Sequence, residues 1–146
     1  MGFRRPAFTL VEILIVVVLL AILAATIVPQ FSSSSKDAEE SSAAFSLQGL
    51  RSQIELYKAQ HASLTPSTLD KLTSRTDAQG NVGTDPVTYP FGPYMPHIPD
   101  NPFNQQRTAE AISSYPPSGV GASTSGWLYH STSGNVFLNH ADWLNR

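Results

Sequence analysis

Residues 8–31, FTLVEILIVVVLLAILAATIVPQF, are apolar almost throughout, yet they include one carboxylate, Glu12. From Phe8 to Val28 there are 21 residues. As an α-helix they span about 31 Å, close to the roughly 30 Å of a bilayer's hydrocarbon core. A charge at mid-bilayer costs roughly 2.5–3.5 kcal/mol even on mild insertion scales. Glu12 therefore needs a reason. The run is preceded by MGFRRPA, with Arg4 and Arg5, and succeeded by SSSSKDAEE. The positive-inside rule keeps the leader cytoplasmic and exports the chain beyond the apolar run.

A cleaved secretory signal peptide fits the length of the uninterrupted apolar stretch, 13 residues from Ile13 to Ala25. It does not fit Glu12. It also lacks an Ala-x-Ala site, since Ile22 and Leu23 stand two positions before Ala24 and Ala25. A plain signal anchor, holding a periplasmic enzyme or binding domain at the membrane, explains length and orientation but neither Glu12 nor Phe8. A third reading comes from Ala7-Phe8-Thr9-Leu10-Val11-Glu12 continuing at once into Ile13-Leu14-Ile15-Val16-Val17-Val18. This resembles the processing site of type IV pilins and type II secretion pseudopilins. The resemblance implies cleavage between Ala7 and Phe8 by a prepilin peptidase, then N-methylation of the Phe8 amine. Ala7 stands where that family usually has glycine, so slower processing is expected. The resemblance also implies that Glu12 faces the N-terminal amine of a neighbouring subunit. A buried carboxylate and ammonium offset one another, whereas either alone is costly. By position alone, a carboxylate snorkelling to the headgroups remains open.

Beyond the membrane run the helical period continues. Ala43, Leu47, Leu50, Ile54 and Tyr57 recur every three or four residues, with Lys36, Glu39, Glu40, Gln48 and Glu55 on the polar side. This predicts an amphipathic helix whose stripe needs a partner. If continuous from Phe8 to Ala59, the helix has 52 residues and a length of about 78 Å. A half-embedded helix beneath a small head resembles the type IV pilin shape. Pro29 removes a hydrogen bond to the Ala25 carbonyl and predicts a kink. The resemblance adds an assembly role for Pro29; an ordinary kink at the membrane exit explains it equally. Gly49, which costs about 1 kcal/mol relative to alanine, is expected to admit close approach of the head.

Tyr57–Leu72, YKAQHASLTPSTLDKL, ends the helix and leads into a short helical segment with Leu64, Leu69 and Leu72. Residues 73–88 are polar, contain Gly80 and Gly83, and read as a surface loop. Prolines at 90, 93, 96, 99 and 102 keep a three-residue period that suits polyproline II. Tyr89, Phe91, Tyr94, Met95, Ile98 and Phe103 are too apolar for a free ligand tail, so this loop is expected to pack on the helix and sheet. Trp127–His130 and Asn135–Leu138, joined by Ser131–Gly134, predict a β-hairpin. Residues 115–126, YPPSGVGASTSG, read as flexible.

Composition excludes several functions. The net charge of −2 gives no footing for nucleic acid, and the absence of cysteine excludes disulfides and thiolate-bound metal. His61, His97, His130 and His140 lack metal-ligand spacing, and no serine sits in a Gly-x-Ser-x-Gly setting. Asp77, Asp85 and Asp100 lie in loops that could offer oxygens to calcium. The acidic C-terminal calcium loop of some major pseudopilins has no counterpart in Ser131-Thr132-Ser133-Gly134, and that site is not carried over.

The expected fold is α+β. A long N-terminal helix, half transmembrane and half amphipathic, packs against a small C-terminal head with a short antiparallel sheet and a proline-rich loop. Residues 1–7 form the leader, 8–31 the membrane and filament-core helix, and 32–146 the exported head. No catalytic residue, cofactor or metal is expected. The resemblance implies a type II secretion pseudopilus subunit in the inner membrane. Its partners would be the prepilin peptidase, an inner-membrane assembly platform, related pseudopilins and further copies of itself in a filament. A type IV pilus or DNA-uptake filament subunit is the nearest alternative.

Intact-mass measurement of membrane-extracted protein should find Phe8 as the first residue. The loss of Arg4 and Arg5 takes basic residues from 9 to 7 against 11 acidic ones, moving the formal charge from −2 to −4. A mature start near Thr26, or an uncleaved chain, would favour one of the two competing readings.

Overall fold

A computed structural model describes residues 8–145, with backbone only at 28, 29 and 31–33; Ala7 lies outside the described residues. The chain divides into two compact units, Met1–Ala38 and Glu39–Arg146. One helix, α1 (Leu10–Gln60), contributes to both and continues through Pro29. In the first unit every described helical side chain is exposed.

In the second unit, α1 is buried on one side only. Ala43, Leu47, Leu50, Ile54 and Tyr57 are all at most 3% exposed, as their spacing predicts. Burying each larger side chain stabilises the fold by roughly 1.5–3 kcal/mol. The helix stops where Ala62 and Ser63 take left-handed φ values of 52° and 68°. There Ser63 N–H caps the Lys58 carbonyl at 2.8 Å. A 3-10 turn, Leu69–Thr73, then inserts Leu69 and Leu72 into the same core.

The sheet is where the fold departs from expectation. β4 (Trp127–His130) and β5 (Asn135–Leu138) form the expected antiparallel hairpin, pairing Trp127 with Leu138 and Tyr129 with Val136. These four side chains join the α1 stripe in one core. Leu128 and Phe137 occupy the other face and are buried too, so both strands read as continuous apolar runs. A third strand, β3 (Ala109–Ala111), adds to β4 in parallel, making the sheet mixed. Three residues with the sequence Ala-Glu-Ala have no strand signature of their own. They pair with β4 through the backbone ladder, and the segment returning from β3 to β4 is tied along 121–125. Glu110 accepts from Ala122 N–H at 2.6 Å and Ser125 Oγ at 3.1 Å. Asn139 accepts from Gly121 N–H at 2.8 Å and donates to the Ser125 carbonyl at 2.8 Å. The stretch 115–126, flexible by composition, is thus anchored along 121–125.

Residues 73–88 also differ from a plain loop. They form a small hairpin, β1 (Arg75–Thr76) with β2 (Val82–Gly83). Asp77 builds its turn, accepting from Gln79 N–H, Asn81 N–H and the Asn81 side chain at 2.8–2.9 Å. The Asn81 side chain, above all, holds the Asp77 carboxyl below the usual carboxylate range. Thr76 is fully buried. It exchanges backbone bonds of 2.9 and 3.1 Å with Phe91, and its hydroxyl lies 2.9 Å from His61 Nε2. His61 Nδ1 donates to the Tyr57 carbonyl at 2.8 Å, and its ring stacks on Tyr57 at 3.8 Å.

The proline-rich loop packs as its apolar residues require. Tyr94 and Met95 N–H groups both reach the Leu72 carbonyl, at 2.8 and 3.1 Å. Tyr94 Oη donates to Gln60 Oε1 at 2.7 Å, and Trp127 Nε1 donates to the Pro99 carbonyl at 2.8 Å. Gly92 has φ of +70°, and a Cβ there would lie 2.6 Å from the Ser74 carbonyl, so only glycine fits. Asn101, fully buried, donates to the Gly126 carbonyl at 2.9 Å and accepts from Phe103 N–H at 2.9 Å.

A fragment starting at Ser32 should be soluble and unfold cooperatively. In it Leu50→Asp, which buries an unpaired charge, should cost roughly 4 kcal/mol or more. Phe45→Ala, on the opposite and exposed side, should change stability by less than about 0.5 kcal/mol. Denaturant titration checks both; equal midpoints for Leu50→Asp and wild type would mean the stripe is not the core.

Candidate assembly surface

The sequence places the chemistry that needs explaining at the start of α1. Thr9 immediately precedes the helix, and its Oγ1 accepts from the Glu12 backbone N–H at 3.2 Å. The Thr9 carbonyl accepts from Ile13 N–H at 3.4 Å. Thr9 is therefore the N-cap, satisfying one of the helix's orphan donors. Thr9-x-x-Glu12 is also the capping-box spacing. That spacing is visible in the sequence and is the signal by which Thr9 could have been singled out beside Glu12.

Glu12 sits in the first turn of α1. There the helix dipole favours a carboxylate by about 0.3–1 kcal/mol. This is smaller than the roughly 2.5–3.5 kcal/mol of burying a charge in lipid. Local helix electrostatics therefore do not account for Glu12 inside a membrane. Among the described residues no cation pairs with its carboxylate within the chain.

After Glu12 the surface is apolar all round. Leu10–Ile27 is long and apolar enough to cross a membrane, and none of it is buried. Its one hydroxyl side chain, Thr26, donates to the Leu23 carbonyl at 2.9 Å, which satisfies it without water. Phe8, at the start, is 76% exposed. Of the residues singled out from the sequence, Phe8 and Glu12 thus lie four positions apart at the head of this surface. Pro29 lies farther along the same helix, and Ala7 is outside the described residues.

The head offers no comparable cluster of reactive groups. Among the described residues no three His, Asp or Glu side chains gather as a metal site would need. The three loop aspartates are engaged locally. Asp77 holds the turn between β1 and β2. Asp85 accepts from the Thr88 hydroxyl at 2.5 Å, and that bond chiefly depresses its carboxyl titration. Asp100 forms a two-point pair with Arg107 at 2.9 and 3.0 Å. His61 is buried in the helix–hairpin junction. Burial pushes the Tyr129 hydroxyl's titration up, and that hydroxyl donates to the Pro66 carbonyl at 2.7 Å.

The family described as "Prokaryotic N-terminal methylation motif" matches residues 3–28, which contain Ala7, Phe8, Thr9, Glu12 and the exposed apolar surface. The chain is similar to a type II secretion protein over a longer stretch. It is 30% identical over 102 residues to the "Type II secretion system core protein G" of Pectobacterium carotovorum subsp. carotovorum. That alignment covers 70% of this chain and 64% of the relative. No solved structure matches. The matched motif and the geometric anomaly coincide: a capped helix start, a carboxylate with no cation partner among the described residues, and an uncovered apolar helix.

Replacing Thr9 with valine removes the cap while keeping the shape. The first turn should lose about 1 kcal/mol. Amide exchange at Glu12, measured in detergent micelles, should then accelerate about fivefold. Unchanged exchange would show that Thr9 does not hold the helix start.

Proposed function

We propose that the chain is a structural subunit of a type II secretion pseudopilus. A prepilin peptidase cleaves it between Ala7 and Phe8, and the new Phe8 amine is methylated. The subunit waits in the inner membrane with its head in the periplasm. An assembly platform then adds it to a filament of like subunits and related pseudopilins. The observation that carries this reading is Glu12, for which the described residues offer no cation, in the first turn of an uncovered apolar helix, inside a match to the N-terminal methylation motif. Similarity to a secretion core protein G favours secretion over a surface pilus or DNA-uptake filament.

The mechanism is mechanical. Cleavage creates an ammonium at Phe8 and leaves Thr9 in place, so the helix cap survives processing. Among the described residues of the lone subunit no cation pairs with Glu12. In the filament the Phe8 amine of a neighbour supplies one, and each subunit relieves a cost carried by the next. Apolar surfaces equivalent to Leu10–Ile27 pack together and shield the pair. Pro29 lies where the helix leaves this core and lets it bend during addition.

Glu12→Val should insert into the membrane at least as well as wild type, since a polar burden is removed, and should still be cleaved after Ala7. Assembly should fall sharply, because leaving the Phe8 ammonium buried and unpaired costs roughly 3–5 kcal/mol per subunit. Glu12→Asp should be intermediate, with charge kept and reach shortened. Comparing processed subunit in membranes with subunit in sheared or cross-linked filaments checks this. Wild-type assembly by Glu12→Val would reduce Glu12 to a headgroup-level carboxylate.

A further inference from the structure

Between β3 and the anchored stretch 121–125, the chain crosses the back of the sheet with little to hold it there. Its two ends are fixed. Ile112 N–H donates to the Tyr129 carbonyl at 2.9 Å, and Gly121 N–H donates to Asn139 Oδ1 at 2.8 Å. Among the described residues, none from Ser113 to Val120 makes a hydrogen bond. Tyr115 and Val120 are 59% and 57% exposed, and a Cβ built at Gly119 meets nothing within 4 Å. The Tyr115 ring lies 6.2 Å from the His130 ring and 5.9 Å from that of Phe137.

Beneath this strap lie two buried apolar side chains, Phe137 and Leu128. Neither belongs to the main core, which is on the other face of the sheet. The return of the strap sits on Leu128, since a Cβ at Gly121 would lie 2.6 Å from a Leu128 methyl. Beside Tyr115 and Pro116 a cleft of about 480 Å³, also lined by Asn135, Phe137 and Leu144, gives the strap room to move. Segments held by few bonds and few buried contacts open locally before the whole fold does. Lifting 113–120 breaks no hydrogen bond. It costs the Tyr115 contacts and the cover of two side chains, and it leaves the α1 stripe and its partners packed.

We propose that residues 113–120 form a lid on the back of the sheet, hinged at Ile112 and Gly121 and latched by Tyr115, which opens while the core of the head stays folded. Pro116 and Pro117 fix two successive φ angles and stiffen its middle, so it moves as a piece. Closed, the lid turns serines and prolines to water. Open, it uncovers Phe137 and Leu128 as an apolar face. The switch belongs to the sheet and does not depend on the filament reading.

Leu128 and Leu138 are a matched pair for the test. Both have 0% exposure, and they lie on opposite faces of β4 and β5. In the full-length, detergent-solubilised wild type, hydroxyl-radical footprinting read by mass spectrometry should oxidise Leu128 at least tenfold faster than Leu138. The chain has no cysteine, so thiol labelling of Leu128→Cys and Leu138→Cys repeats the comparison without background. Urea well below the unfolding midpoint should speed labelling at 138 steeply and at 128 little, because lid opening exposes far less surface than unfolding does. Adding Tyr115→Ala to Leu128→Cys should speed labelling about fivefold, the worth of one aromatic contact. Equal oxidation of the two leucines, or equal urea dependence at 128 and 138, would mean that only unfolding uncovers this face and would overturn the lid. Unchanged labelling in Tyr115→Ala would overturn the latch. Should a cysteine variant fail to fold, the wild-type footprint still decides.

Discussion

Burial of the α1 stripe is the interaction on which the second unit depends. Leu47, Leu50, Ile54 and Tyr57 present one apolar face, and the elements that cover it are placed by what they contribute to that core. The 3-10 turn brings Leu69 and Leu72, the hairpin brings Trp127, Tyr129, Val136 and Leu138, and the C-terminal turn brings Trp143. A three-stranded sheet of short strands is too small to persist alone. Packed on a helix, it needs only one well-covered face. Segment 109–122 covers the reverse face, as the Tyr115–Phe137 ring contact at 5.9 Å shows.

The same helix meets a different solvent at its start. From Leu10 to Ile27 it is apolar on all sides and covered on none. In water such a surface would aggregate; in lipid it is at rest, and Thr26 satisfies its own hydroxyl from the preceding turn. Glu12 is the exception. Its place in the first turn explains helix initiation with Thr9, but the dipole is too weak to offset a membrane's cost. A group that is costly alone and compensated in company selects for assembly, and that is the physical content of the pseudopilus reading.

Long, strongly periodic features were legible in the sequence. The stripe from Ala43 to Tyr57, the hairpin at Trp127–Leu138 and the packing of Tyr94 and Ile98 all follow from side-chain spacing and apolarity. The misses share one cause. β3, the Asp77 turn and the Thr76–Phe91 bridge are short polar pieces whose order comes from partners far along the chain. Ala109–Ala111 has no strand propensity, and its backbone ladder to β4 is reinforced by tethering through Glu110, Asn139 and Ser125. Gly49 shows the converse. Its cost to the helix was visible, but a Cβ there meets nothing within 4 Å, so the head does not approach it as expected.

By itself, the sequence determined the solvent of each part and the site of interest. Hydrophobic periodicity is local, so the all-round apolar run, the one-sided stripe and the lone carboxylate at Glu12 within that run can be read without coordinates. Only the tertiary structure decided the parallel third strand, the anchoring along 121–125, the burial of Thr76 and His61, and the emptiness around Gly49. Those depend on which distant groups meet. Buried hydrogen bonds and steric gaps belong to pairs of residues remote in sequence, and no local pattern encodes them.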